Sequence, residues 1–216
     1  MNEFNIFVAT KEHLPYVDVV LNAIADAAKV RGTGIAKRSP EYLQKKIEEG
    51  KAVLALQGEV FAGFCYIETW GHDKFVANSG LIVVDQFRGH GLAKLIKTKA
   101  FELSRERFPN AKIFGLTTGL AVMKINSDLG YRPVTFSELT NDEQFWKGCQ
   151  SCVNYDILVR TERKHCLCTG MLFDPARQNH SINNKKSSNV LSRIKKAVSK
   201  KDSKIGRTLK AITALF

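Results

Sequence analysis

A short strand, a glycine pair and a long helix follow one another without a break over residues 81–108. That succession constrains the fold more than any other feature of the chain. LIVV (81–84) is an apolar run, and DQFRGHG (85–91) is a turn-forming stretch. LAKLIKTKAFELSRERF (92–108) carries apolar residues at helical spacing until Pro109-Asn110 stops it. A loop that leaves a strand and opens a helix aims the first unpaired helical N–H groups at whatever lies ahead, and the helix dipole there favours an anion. Glycine lets the backbone come close to that anion without a Cβ in the way. The phrase RGHGLAK (88–94) is nearly repeated as RGTGIAK (31–37). The earlier copy lies between two helical patterns, with no strand before it. It reads as an irregular inter-helix loop, and only the second copy reads as a pyrophosphate cradle.

The flanking pattern sets the fold class. FNIFVA (4–9) reads as a strand, residues 14–30 as a helix ended by Arg31-Gly32, and Ser39-Pro40-Glu41 as the capped start of a helix running to Gly50. AVLALQ, VFAGFCYIETW and KFVANSGLIVV follow with turns at Gly58-Glu59 and Gly71-His72-Asp73, the signature of an antiparallel meander. After the long helix come a buried strand (111–118), a short helix (119–130), a strand at YRPVTF and a short helix at NDEQFWKGC. VNYDILVR and CLCTGMLF then suggest a hairpin around residues 161–164. The expectation is a mixed α/β (α+β) domain, with a mostly antiparallel central sheet flanked by helices.

Charge divides the chain. The net charge is +12. Eleven Lys or Arg and one acid fall in residues 176–216, so that segment is +10 and residues 1–175 are +2. The reading is a nearly neutral domain over 1–175 and a basic tail over 176–216, separated by polar, turn-rich sequence. Val190, Leu191, Ile194, Val198, Ile205, Leu209, Ile212 and Phe216 recur among the tail lysines at near-helical spacing, which suits an anionic membrane surface or a protein partner. No aromatics are interleaved to stack bases, so specific nucleic-acid recognition is not expected. No signal peptide or membrane span is evident, and with five cysteines a reduced cytoplasmic setting is expected.

Neither the dinucleotide fingerprint nor the Walker pattern is present, since position 94 is Lys. Gln86-Phe87-Arg88-Gly89-His90-Gly91, followed by Leu92-Ala93, instead resembles the acyl-CoA-binding motif of the GNAT superfamily of N-acyltransferases. The order of elements over about 4–160 and the Leu129-Gly130-Tyr131 turn resemble that fold too. The resemblance implies that backbone groups around Ile82, Val83 and Val84 pair with the pantetheine arm of an acyl-CoA co-substrate. It implies that amides from Arg88, Gly89, His90, Gly91, Leu92 and Ala93 hold the pyrophosphate. An acceptor amine then attacks the thioester directly, without a covalent acyl-enzyme. No metal is expected.

The chain departs from the family pattern at several points. The Tyr that many members use to protonate the departing thiolate is Asn126 here, and the Pro common before the loop is Asp85. No Glu lies on strand 75–84; Glu68, His72 and Asp73 are the nearest candidates for a base, and Glu68 is preferred. The loop between the first two helices overlies the acceptor site in this fold. Arg31, Lys37 and Arg38 there suit an acidic acceptor through paired guanidinium–carboxylate hydrogen bonds, with Thr117 and Thr118 adding hydroxyls.

RGTGIAKR, SGLIVVDQFRGHGLAK, FGLTTGLAVMKINSDLGYRPV, FWKGCQSC and CLCTGMLFDP together look like a bacterial GNAT subgroup associated with arginine biosynthesis. That likeness implies acetyl or succinyl transfer to glutamate. Transfer to a protein or peptide amine, and acyl-CoA sensing without catalysis, remain alternatives. The oligomeric state is open, a homodimer included. Cys149-x-x-Cys152 and Cys166-x-Cys168 invite a zinc reading. In the hairpin expected above, Cys152 would stand about 17 Å from the second pair, so the expectation is buried, metal-free thiols.

Overall fold

The computed structural model describes residues 3–31 and 38–178, with the side chains of Val30 and Arg31 outside the described set. A compact unit spans Met1–Asp174. Residues 179–216 of the basic tail, with the amphipathic pattern expected there, and the segment 32–37 lie outside the described residues.

Seven strands form one sheet in the order β1-β2-β3-β4-β5-β7-β6. The first four are β1 (Phe4–Val8), β2 (Ala52–Gln57), β3 (Val60–Trp70) and β4 (Phe75–Val83). They are antiparallel neighbours; β2, β3 and β4 are the expected meander, and β1 adds to its edge beside β2. β5 (Lys112–Thr117) joins β4 in parallel after the long helix α3 (Leu92–Arg107). β7 (Thr169–Phe173) inserts antiparallel between β5 and β6 (Arg132–Val134).

β2 explains why a meander strand can read as an unbroken apolar run. Val53 and Ala55 face a core that includes Ile96 and Leu103 of α3, while Leu54 and Leu56 face one that includes Val20, Ile24, Leu43 and Ile47. The latter four lie on α1 (Val17–Arg31) and α2 (Pro40–Glu48). A strand covered on both faces has no polar face to alternate with. Ahead of α1, Lys11–Tyr16 is a 3-10 turn containing Pro15, so the helix begins later than the periodicity suggests. Ser39 caps α2 by accepting from the Tyr42 N–H, with Pro40 in the first turn, as the sequence predicts.

Two irregularities of β4 shape the interior. Phe64 pairs with Ile82 and Tyr66 with Ser79, so β4 carries one extra residue there, a β-bulge at Gly80-Leu81. Gly80 has φ +67°, and a Cβ would stand 2.8 Å from the Tyr66 ring, so glycine is required. β4 and β5 pair only over Phe75–Ala77 and Lys112–Phe114. Beyond Asn78 and Gly115 the two parallel strands run unpaired, leaving a splay that opens toward the glycine loop.

The expected hairpin of 153–160 with 166–173 is not formed. Residues Tyr155–Arg160 are a helix, and β7 takes β5 and β6 as its partners. Tyr155 and Leu158, three apart, both pack into the third core cluster, beside Trp146 and Phe114. Burial of that helical face overrides the strand preference of the Val and Ile in the segment. The nearest strand in sequence is therefore the wrong partner.

Candidate active site

The glycine loop is built as its sequence predicts. Asp85–Phe87 is a single 3-10 turn, and Phe87 anchors it in the core. Gly91 is the N-cap of α3 in the left-handed region, φ +76°, and nothing stands within 4 Å of the place its Cβ would take. The Gly91 carbonyl accepts from the Lys94 and Leu95 N–H groups. The N–H groups of Gly89, His90, Gly91, Leu92 and Ala93 make no backbone hydrogen bond among the described residues. A row of unspent donors at the head of a 16-residue helix is a ready anion site. The Arg88 side chain turns back, donating from Nε to the Val83 carbonyl at 3.2 Å and pairing with Asp85 at 2.6 Å. His90 is exposed.

A cavity of about 490 Å³ occupies the splay and continues beneath α2. Ser79, Gly80 and Leu81 line it from β4, Gly115 to Thr117 from β5, and Thr118 from just beyond it. Ile82 and Val83 are buried in the two cores, and the Val84 N–H is spent on the Ala62 carbonyl at 3.0 Å. The strand edge that meets the cavity is thus the bulge, a few residues before Ile82. Asn126, on α4 (Leu120–Asp128), also lines it. That residue is 1% exposed and its Oδ1 has no partner among the described residues, an orphaned acceptor at a cavity wall.

Glu68 is not an exposed strand-end carboxylate. It accepts from the Tyr42 hydroxyl on one oxygen and from Lys46 Nζ on the other, in two very short contacts. Lys46 is 4% exposed, a buried cation placed by α2 directly against β3. Burial raises Glu68 to about 7, with the Arg38 guanidinium working against the rise. Burial likewise lowers Lys46 to about 8. The two groups touch, so the protonation of each depends on the other. A carboxylate with these properties can accept a proton at physiological pH. Sequence reasoning missed Tyr42 and Lys46. Their four-residue spacing on α2 was the available signal, but only the packing of α2 on β3 gives it meaning.

The other predicted acceptor residues divide. Arg38, Thr117 and Thr118 line the same cavity as Glu68 and Asn126. Arg38 Nε donates to the Tyr66 hydroxyl at 2.7 Å, and its guanidinium lies over the Tyr42 and Tyr66 rings. Thr117 accepts from the Gly119 N–H at 3.0 Å. The Arg31 side chain and Lys37 lie outside the described residues. Trp70, absent from the sequence expectation, contributes a buried Nε1–H with no partner among the described residues.

The cysteine geometry is corrected together with the hairpin. Because 155–160 is a helix, Cys149, Cys152, Cys166 and Cys168 all reach the wall of this one cavity. All are free thiols. Burial first, then the neighbouring cysteines, push Cys149 up to about 11 and Cys168 to about 12. Among the described residues no group of three or more His, Cys, Asp or Glu is arranged to hold a metal ion. No helix among them is long and apolar enough to cross a membrane.

No protein-family model matches the chain, and no curated protein matches its sequence. Solved structures do match its fold. N-acetylglutamate synthase from Neisseria gonorrhoeae, complexed with coenzyme A and N-acetyl-glutamate, superimposes with a TM-score of 0.57 at 15% identity over 81% of this chain. This chain spans 35% of that enzyme's length. YncA of Salmonella typhimurium, described as a putative acetyltransferase with its cofactor acetyl-CoA, gives 0.53 at 12% identity, covering 80% of this chain and 94% of that one. An acetyltransferase of the GNAT family from Staphylococcus aureus gives 0.53 at 15%, covering 65% and 92%. The chain has the GNAT fold.

Proposed function

We propose that the protein is an acyl-CoA-dependent N-acyltransferase that acts on a small amine. The observation that carries this reading is the conjunction, along one cavity, of the β4–β5 splay and a buried carboxylate poised near neutral pH. The splay starts after Ala77 and opens toward the end of β4, where the glycine loop and its free amides follow. Acyl transfer to an amine needs two reactants held together, a base for the amine proton and donors for the oxyanion. The loop amides from Gly89 to Ala93 take the diphosphate, and the open edge of β4 at the bulge, short of Ile82, Val83 and Val84, takes the pantetheine arm. Glu68 is the base, reaching the amine directly or through one water. Coenzyme A in the matching synthase and acetyl-CoA in YncA support the co-substrate.

For the acceptor we infer a dicarboxylic amino acid, glutamate foremost. The support is Arg38 at the cavity mouth, the unpartnered Trp70 Nε1–H, and the N-acetyl-glutamate bound by the matching synthase. Arg31 and Lys37 belong to the same reading through their place in sequence. Acetyl and succinyl both remain as the transferred group. Thiol release from acetyl-CoA and succinyl-CoA, measured with each amino acid in turn, tests the reading. Stimulation by glutamate is expected. Coenzyme A affinity with no stimulation by any small amine would overturn it in favour of a macromolecular acceptor or a sensor.

A further inference from the structure

Lys97 is the buried charged group for which the mechanism above has no use. It sits on the sheet-facing side of α3 and is 2% exposed, yet it lines the cavity. Its Nζ donates to Asn78 Oδ1 at 3.1 Å and lies over the Tyr131 ring at 5.2 Å. A Cβ built on Gly115 would stand 3.8 Å from it. Asn78 and Gly115 are the first residues past the last paired positions of β4 and β5. The ammonium therefore fills the closed vertex of the splay, from the helix side. Asn78 Oδ1 also accepts from the Tyr131 hydroxyl at 2.9 Å, so this acceptor is satisfied without the lysine. The titratable groups facing Lys97 are the Cys65 thiol of β3 and the Tyr131 phenol, and neither is a carboxylate. A cation buried without an anion costs several kcal/mol. Such a cost points to a role in which negative charge arrives later.

The reaction generates negative charge at the thioester sulfur. The residue that many similar enzymes use for that sulfur is Asn126 here, and an amide cannot give up a proton. We propose that Lys97 is the general acid of the transfer, stabilising and protonating the coenzyme A thiolate as it departs. This rests on the acyltransferase reading above. The amine nitrogen bonds to the carbonyl carbon and its proton passes to Glu68. The C–S bond breaks with its electron pair on sulfur, and a proton moves from Lys97 Nζ to that sulfur. An amide and a free thiol leave. Glu68 returns its proton to solvent and Lys97 regains one, so both groups recover their starting charges. Burial lowers Lys97 to about 8, which keeps it protonated at neutral pH while making the proton easier to release.

The test is a leaving-group experiment. Lys97→Met should reduce kcat with acetyl-CoA about a hundredfold while leaving the acetyl-CoA KM nearly unchanged. With the selenium analogue of acetyl-CoA the loss should shrink to a few-fold, because a selenolate leaves without needing a proton. The wild-type kcat profile should fall on an alkaline limb near pH 8 with the thioester and lack that limb with the selenoester. This second measurement needs no variant, so it stands even if Lys97→Met fails to fold. An equal loss with both co-substrates would assign Lys97 a structural role and overturn the proposal. So would an unchanged kcat, or a wild-type alkaline limb indifferent to the leaving atom. If the wild type transfers no acyl group while Lys97→Met binds coenzyme A normally, the acyltransferase reading has failed, and this inference falls with it. If the wild type is active and depends on Glu68 but not on Lys97, only this inference is lost.

Discussion

The two sides of the cavity are built on opposite plans. The loop side is contiguous: β4, the 3-10 turn, the glycine loop and α3 run from Phe75 to Arg107 without leaving the neighbourhood. It offers backbone groups, and its one charged side chain at the cavity, Lys97, is hidden below the sheet. The other side gathers Arg38, Tyr42 and Lys46 from the start of the chain, Glu68 and Trp70 from the end of β3, and four thiols from residues 149–168. It offers side chains, several with strongly shifted protonation. A site that recognises a common diphosphate can be made of backbone and so be read in local sequence. A site that must choose and deprotonate one amine needs side chains brought from distant segments.

Glu68→Gln should have the largest effect. It keeps the shape but cannot accept a proton, and kcat should fall about 10²–10⁴-fold with little change in acyl-CoA affinity. If the loss appears in acyl-CoA binding instead, the division between the two sides is wrong. Gly91→Val tests the loop side. The left-handed φ penalises a β-branched residue by about 1–2 kcal/mol, and its Cβ meets nothing within 4 Å. The acyl-CoA KM should rise roughly tenfold by this strain, with the acceptor KM unmoved; isothermal titration with coenzyme A checks it. Arg38→Gln should do the reverse, raising the acceptor KM by about tenfold for a dicarboxylic amino acid and far less for its amide.

The pH profile gives a finer test. As the proposed base, Glu68 must be ionised to act, and burial raises its pKa to about 7, so kcat/KM should fall about tenfold per unit below that pH. In Lys46→Met the carboxylate loses its cation. Its pKa should rise further, and the acidic limb should move to higher pH. A limb that stays in place would separate Lys46 from the base. The smallest change is expected for Trp70→Phe, a two- to fivefold rise in acceptor KM from one lost hydrogen bond. An effect on acyl-CoA instead would move Trp70 to the other side.

The legibility of the site follows the same division. The antiparallel meander, the capped α2, the glycine loop and α3 were readable because each depends on residues close in sequence: alternating or helical apolar spacing, Ser39-Pro40, and glycines between a strand and a helix. Glu68, Asn126, Arg38, Thr117 and Thr118 were reached only by position relative to those landmarks. The misread stretch is the one where local preference and tertiary packing disagree. Residues 155–160 resemble a strand, yet their Tyr155–Leu158 face is buried as a helix. The same helix brings the four thiols, far apart in a hairpin, to one cavity wall.

By itself the sequence determined the meander, the glycine loop between β4 and α3 and the concentration of positive charge in residues 176–216, because propensity, glycine conformation and charge are properties of short stretches. Only the tertiary structure decided that β7 lies between β5 and β6, that β4 bulges at Gly80 and parts from β5 after Ala77, and that Lys46 meets Glu68 while Lys97 closes the vertex. Those facts depend on which distant surfaces exclude water together. Burial, which no short stretch can specify, is also what shifts the protonation of the groups proposed to do the chemistry.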